Sequence, residues 1–243
     1  MKKSLSVLEY YSKRNLPRTL IVSAVMLAAQ LVYFALCLKS GQASLYASAK
    51  VLWGIAAAAV LVLYFLLWGP SAKGSRYSYR VRMLQIPEKA VYWLNVLHNM
   101  LMFLILWGFQ VMGLIICARM YVSWSGFPGS QQSVMTEICA STALLFILPL
   151  KNAAMAGSRV LIMLLLSMGA ASAAVRRRYR SFPTLSGIIA AVCVYILLMP
   201  FNSYERTMSV LISSAIAAVV LGAISILLSA YAIEDGEKED KDE

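Results

Sequence analysis

The stretch VMTEICASTALLFILPL, residues 134–150, decides how this chain is threaded. It is nearly long enough, and apolar enough in its second half, to cross a hydrocarbon core about 30 Å thick. Its first half carries Thr136, Glu137, Ser141 and Thr142, and Pro149 with Lys151 closes its end. Those features fit a re-entrant or interfacial helix better than a span. The choice fixes the number of crossings and the side on which every later connection lies.

Composition makes this a question about membranes. Of 243 residues, 60% are hydrophobic and 14% charged, against about 45–50% and about 25% in an average soluble domain. The apolar residues are gathered into blocks of bilayer-crossing length. Alternation in segments of roughly ten residues, the mark of an outer-membrane barrel, is absent. The expectation is an all-α, polytopic helical bundle in the membrane. A net charge of +11 does not point to nucleic acid. The basic residues stand in short clusters beside apolar blocks, where they anchor topology. A nucleic-acid binder carries a continuous basic face on a folded domain.

Apolar blocks lie at 20–38, 51–68, 93–117, 160–175, 185–201 and 208–231, besides 134–150. Lysine and arginine enrich cytoplasmic loops, and three clusters stand out. The N-terminal arm holds Lys2, Lys3, Lys13, Arg14 and Arg18; the connection from Gly69 to Tyr92 holds Lys73, Arg76, Arg80, Arg82 and Lys89; RRRYR occupies 176–180. All three share one side only if an even number of spans separates each pair. One block between the second and third clusters must therefore fail to cross, and 134–150 is that block. The result is six spans with one outer re-entrant or interfacial helix and both termini cytoplasmic, a single transmembrane domain over 1–233. The last ten residues, EDGEKEDKDE, cannot bury themselves and are expected to be a disordered acidic tail over 234–243. The basic start followed by an apolar run imitates a signal peptide, but the run extends over about 19 residues and more spans come after it, so an uncleaved first helix is expected.

Within the spans, polar residues are the exceptions worth weighing. Asn95, His98, Asn99 and Gln110 share the third one. Asn95 and Asn99 are four apart and Gln110 follows eleven later, which returns to nearly the same helix face. Asn95, Asn99 and Gln110 are candidate pathway residues; ordinary interhelical hydrogen bonding is the alternative. His98 has no carboxylate partner in sequence. Ser214, Ala218 and Gly222, at four-residue intervals, are a candidate helix-packing face, and SMGAASAA at 167–174 resembles it.

Chemistry of other kinds is hard to find. Cys37, Cys117, Cys139 and Cys193 are far apart and His98 is the only histidine, so neither a metal site nor a disulfide framework is indicated. GPSAKGS at 69–75 lacks the Lys-Ser/Thr of a phosphate loop and no strand precedes it. No HExxH or GxSxG motif occurs. The acids outside the tail are Glu9, Glu88, Glu137 and Glu205, one in each of four separate segments. No catalytic residue, bound metal or cofactor is expected in this chain.

The connection YSYRVRMLQIPEKAVYWL, 77–94, is unusual between two apolar blocks. Met83, Leu84 and Ile86 form an apolar cluster flanked by Arg80 and Arg82. Pro87 suits the first turn of a new helix, and Glu88 complements that helix's dipole. Such a segment either anchors on the inner membrane face or docks on a cytoplasmic partner.

At this place the chain resembles the type-2 permeases of ATP-binding-cassette (ABC) transporters. In that family a cytoplasmic segment before a long helix reads leucine-leucine, one or two residues, Pro-Val-Ser, then a charged pair. Here it reads Met83-Leu84-Gln85-Ile86-Pro87-Glu88-Lys89-Ala90-Val91. Glu88-Lys89 replaces Val-Ser, and the re-entrant segment precedes the fourth span instead of the last. The motif covers about ten residues; the rest of the likeness is topology, which many folds share. The resemblance implies a pore-forming subunit without its own ATPase, with ATP held by a partner. Its coupling segment, 77–92, would dock the ATPase through Arg80, Arg82, Met83, Leu84, Ile86, Pro87, Glu88 and Lys89. A second permease subunit, identical or related, is also implied, as are a bacterial plasma membrane and export. An accessory, assembly or immunity-type membrane protein that transports nothing is the alternative.

Overall fold

A computed structural model describes residues 2–40, 48–68, 87–124 and 153–178, with Ala223 and Leu227 as isolated helical positions. The described residues form helices and their immediate flanks, and no strand occurs among them. In chain order the helices are α1 (Lys2–Lys39), α2 (Ser48–Trp68), α3 (Glu88–Trp124) and α4 (Ala153–Arg178). Each contains one of the first four expected crossing blocks and runs past it. The stretch 134–150, the blocks 185–201 and 208–231 apart from Ala223 and Leu227, and the tail lie outside the described residues. So do Arg80, Arg82, Met83, Leu84, Ile86, Ser214, Ala218 and Gly222.

The largest difference from expectation is at the start. The arm ahead of Leu20 is helical from Lys2, continuous with the apolar run and passing through Pro17. Pro17 removes one helix hydrogen bond, but Asn15 and Thr19 on either side of it are buried, so packing holds the helix together there. Near that end Glu9 pairs with Lys13 at 2.8 Å on a solvent-facing turn. The hydrogen bond and charge of Lys13 hold the Glu9 carboxyl below its ordinary range. At the other end of α1, Ser40 closes the helix, its amide donating to the Leu36 carbonyl and its hydroxyl to that of Cys37, both at 3.1 Å.

α3 begins one residue after Pro87. The Pro87 carbonyl accepts from the amides of Ala90 (2.8 Å) and Val91 (3.2 Å). Proline thus stands just outside the first turn, where its missing N–H costs nothing.

Two stretches have the length and apolar character needed to cross a membrane, Tyr11–Lys39 and Lys89–Trp124; Ala57–Leu66 and Met163–Val175 are shorter apolar helices. Helices of this kind also occur in soluble cores, and the radial distribution of polarity bears on the difference. α1 buries Asn15, Thr19, Ser23 and Gln30, while Ile21, Val25, Val32 and Leu36 are each more than 60% exposed. α3 likewise exposes Trp93, Leu97 and Leu101 and buries Asn95, His98 and Asn99. Polar groups inside and large apolar side chains outside suit lipid as the surrounding solvent. In water, such a continuous apolar exterior is a liability.

Contacts fix the directions of the helices. Asn15 meets His98, and Gln30 faces Gly113; both pairs are 83 residues apart, so α1 and α3 run parallel. Arg18 lies over the Phe65 ring at 5.6 Å, near the end of α2, whereas Gln30 and Tyr33 share a cavity wall with Gly54, near its start. α2 is therefore antiparallel to α1. Tyr92 and Val96, early in α3, pack with Ala171 and Val175, late in α4, and Asn99 reaches Ser167. α4 is antiparallel to α3. The main core, where all four helices meet, includes Met26, Val62, Phe103 and Leu166.

Candidate functional site: a buried polar seam

On α1, Tyr11, Asn15, Thr19, Ser23, Gln30 and Phe34 recur at multiples close to the helical repeat and form one buried stripe. Its polar part, Asn15 to Gln30, spans roughly 22 Å at about 1.5 Å per residue. That is most of a hydrocarbon core about 30 Å thick. Parallel packing in constant register lays this stripe along α3, where His98, Gln110 and Gly113 are found.

At the end nearest the two helix N-termini, the seam is occupied by His98. Its ring is fully buried and stacks on Tyr11, with centroids 5.5 Å apart and planes inclined by 29°. The Asn15 amide Nδ2 lies 3.4 Å from His98 Nε2 and donates to it at the long end of hydrogen-bonding range. His98 Nδ1 and Asn15 Oδ1 have no partner among the described residues.

At the other end the seam is formed around a glycine. A Cβ on Gly113 would stand 2.8 Å from Leu27 Cδ1 and 3.0 Å from Gln30 Oε1. Any side chain at 113 makes the tips of Leu27 and Gln30 move aside, and the contact shows that the Gln30 amide is turned toward α3. Gln110 lies one turn earlier on α3, on an adjoining strip of its surface, with no exposed area. Both amide atoms of Gln30, both of Gln110, and the hydroxyl of Ser23 between the two ends lack partners among the described residues. A buried polar group left unsatisfied costs about 1–3 kcal/mol. Two open glutamines are thus far outside the ordinary case of an interhelical hydrogen bond, worth about 0.6 kcal/mol on average in a membrane.

The seam is uncharged. Among the described residues, no aspartate, glutamate, lysine or arginine is buried, and no cluster of three metal-ligating side chains occurs. Cys117 and Cys37 are free thiols at its far end.

The structure places all three candidate pathway residues in the interior, but does not bring them to one partner. Gln110 is fully buried one turn before Gly113, its amide without a partner among the described residues. Asn99 turns to α4, donating to the Ser167 carbonyl at 3.4 Å. Asn95 is buried one turn before Asn99. Of the docking residues, Pro87 and Lys89 are exposed at the mouth of α3. Sequence reading missed the α1 half of the seam. Its signal was present as Asn15, Thr19 and Ser23 at four-residue intervals, with Gln30 seven further on. It was hidden by treating everything before Leu20 as an arm.

Comparison with known protein families, characterised proteins and solved structures finds no match to this chain.

Proposed function

We propose that the chain is the membrane-spanning permease subunit of an ABC-type exporter, driven by a separate ATPase that docks on the connection between α2 and α3. The supporting observation is the alternation of helix directions. The starts of α1 and α3 and the ends of α2 and α4 lie at one end of the bundle. That end carries Lys2, Lys3, Lys13, Arg14 and Arg18, then Lys89, then Arg176, Arg177 and Arg178; the opposite end has Lys39, Lys50 and Arg119. The basic end is the cytoplasmic one by the usual bias. Residues 69–86, which join α2 to α3, depart from it and return to it, where a cytoplasmic ATPase has access.

The same geometry favours six spans. α3 and α4 are antiparallel, as they are when 134–150 turns back; a full crossing there makes them parallel. With two further spans after α4, both termini are cytoplasmic. Pro87 outside the first turn of α3 suits a loop whose movement is passed directly to a long helix. ATP hydrolysis belongs to the partner, and a second permease subunit completes the pathway.

The alternative is an accessory membrane protein that transports nothing. The Asn15–His98 and Asn99–Ser167 contacts suit it, because any stable bundle uses such links. One experiment separates the two. The chain is co-expressed with a cassette ATPase from its own genome and purified in mild detergent, as wild type and as Leu84→Asp with Ile86→Asp. The permease reading expects the ATPase to copurify with wild type and to be lost from the double variant. A folded chain that never retains any ATPase moves the accessory reading ahead.

A further inference from the structure

We propose that the α1/α3 seam around Ser23, Gln30 and Gln110 is a membrane-embedded binding site for a small, uncharged solute bearing both hydrogen-bond donors and acceptors. Polyols and small amides have this chemistry. The inference deepens the transporter reading by naming a substrate class and rests on it for movement across the membrane; binding at the seam does not need the ATPase.

The chemistry follows by elimination from the side chains present. An ion entering the seam meets no opposite charge among the described residues, and an unpaired charge in a low-dielectric interior is strongly disfavoured. An apolar ligand leaves both glutamines as unsatisfied as before. A neutral molecule that donates and accepts matches what they offer, since each amide presents an oxygen acceptor and an N–H donor, Gln30 against Gly113 and Gln110 one turn before Gly113 on α3. Simple interhelical packing accounts for Asn15 with His98 and Asn99 with Ser167 but leaves these two residues without a role.

There is also room for Gln30 to respond. Besides facing Gly113, it forms part of the wall of a cavity of about 420 Å³ between α1 and α2, lined otherwise by apolar residues and Tyr33. Its side chain can turn from Gly113 toward that space as a solute enters. The cavity itself, apolar and rimmed by exposed Ile21 and Val25, is not the polar site.

The test uses the full chain in phospholipid vesicles, with Cys37, Cys117, Cys139 and Cys193 changed to alanine and a single Ser23→Cys introduced. A charged, water-soluble methanethiosulfonate reports access, and Val32→Cys on the apolar exterior is the control. Ser23→Cys is expected to react faster than Val32→Cys, although Ser23 is buried and Val32 exposed. Glycerol or urea at twice its Kd slows the Ser23→Cys reaction by about threefold through occupancy; glycine betaine at matched osmolality does not. Gln30→Met or Gln110→Met removes the protection. If the alanine background does not fold, the same rates are read by peptide mass spectrometry with the native cysteines retained. A Ser23→Cys no faster than Val32→Cys, equal slowing by betaine, or protection that survives both glutamine changes overturns the proposal. ATPase copurification with an inert seam leaves the permease reading standing and removes only this inference. A protected seam with no ATPase partner does the reverse.

Discussion

The two long interfaces of α3 use polar residues in opposite ways. Toward α4 the packing is small and apolar, with Ala170, Ala171 and Val175 against Val96 and Phe103. Its serines are satisfied within their own helix. Ser167 donates to the Met163 carbonyl at 2.7 Å and Ser172 to the Gly169 carbonyl at 2.9 Å. Toward α1 the buried polar groups are more numerous; Asn15 meets His98, but Ser23, Gln30 and Gln110 are left open among the described residues. The first interface has one good arrangement, because small residues let backbones approach and no hydrogen bond remains to be made. The second is short of hydrogen bonds as it stands, so another arrangement, or a ligand, can satisfy it better. A bundle with both offers a fixed half and a half able to change.

The comparison breaks most severely at Gly113. Leucine there must push Gln30 and Leu27 away from α3, and overpacking of this kind costs about 1–3 kcal/mol. Gly113→Leu should lower the thermal midpoint in detergent most of all single changes considered, with Gly113→Ala following in the same direction. Gly108, on the exposed side of the same helix, meets nothing within 4 Å. Gly108→Ala should raise the midpoint, since alanine is favoured over glycine within a helix by about 0.5–1 kcal/mol. A fall at Gly108 as large as that at Gly113 would mean that helix propensity, not the α1 contact, governs both sites.

His98 comes next. His98→Ala removes a fully buried ring, its stack on Tyr11 and the acceptor for Asn15. The expected loss is about 2 kcal/mol from the cavity and the orphaned amide. Combining it with Asn15→Leu should restore part of that loss, since no donor is then left unpaired. A double variant as unstable as the sum of the two singles would show that the 3.4 Å contact contributes nothing.

The glutamines should behave in the opposite sense. Replacing an unsatisfied buried amide with an apolar side chain of similar shape removes a penalty. Gln30→Met and Gln110→Met are each expected to raise stability by about 1 kcal/mol. Both should abolish solute protection at Ser23→Cys. Stability gained as function is lost is the usual sign of a site kept for its activity. Destabilisation by either change would identify the glutamine as structurally bonded in the folded protein.

These contrasts were unequally legible in the sequence. The two helices long and apolar enough to cross a membrane followed from apolar block lengths, and the burial of Asn95, Asn99 and Gln110 followed from their being the polar exceptions in an apolar helix. Their division between two partners did not follow. Spacing along one helix places residues on a face, but which helix covers that face depends on contacts dozens of residues away in sequence. Asn15 and Thr19 were obscured for a different reason. Hydropathy fixes where an apolar block begins but says nothing of where the helix begins, and α1 starts well before Leu20. Gly113 looked like one of many small residues in a span. Its role became visible only with the Gln30 amide placed opposite it.

The smallest effect is also the sharpest test of the contrast, because it is a change of sign at two chemically identical residues. Ser167 and Ser23 are both fully buried. Ser167→Ala loses a hydroxyl bonded to the Met163 carbonyl, which still accepts from its own helix, so a destabilisation within about 0.5 kcal/mol is expected. Ser23→Ala removes a hydroxyl with no partner among the described residues, so stability should hold or rise. Midpoints measured side by side in one detergent need only be ranked. Ser23→Ala above wild type and Ser167→Ala below it would mean that α3 packs against a settled neighbour on one side and an unsettled one on the other. The reverse ranking would place the unmet hydrogen bonds on the α4 face and move any solute path there with them.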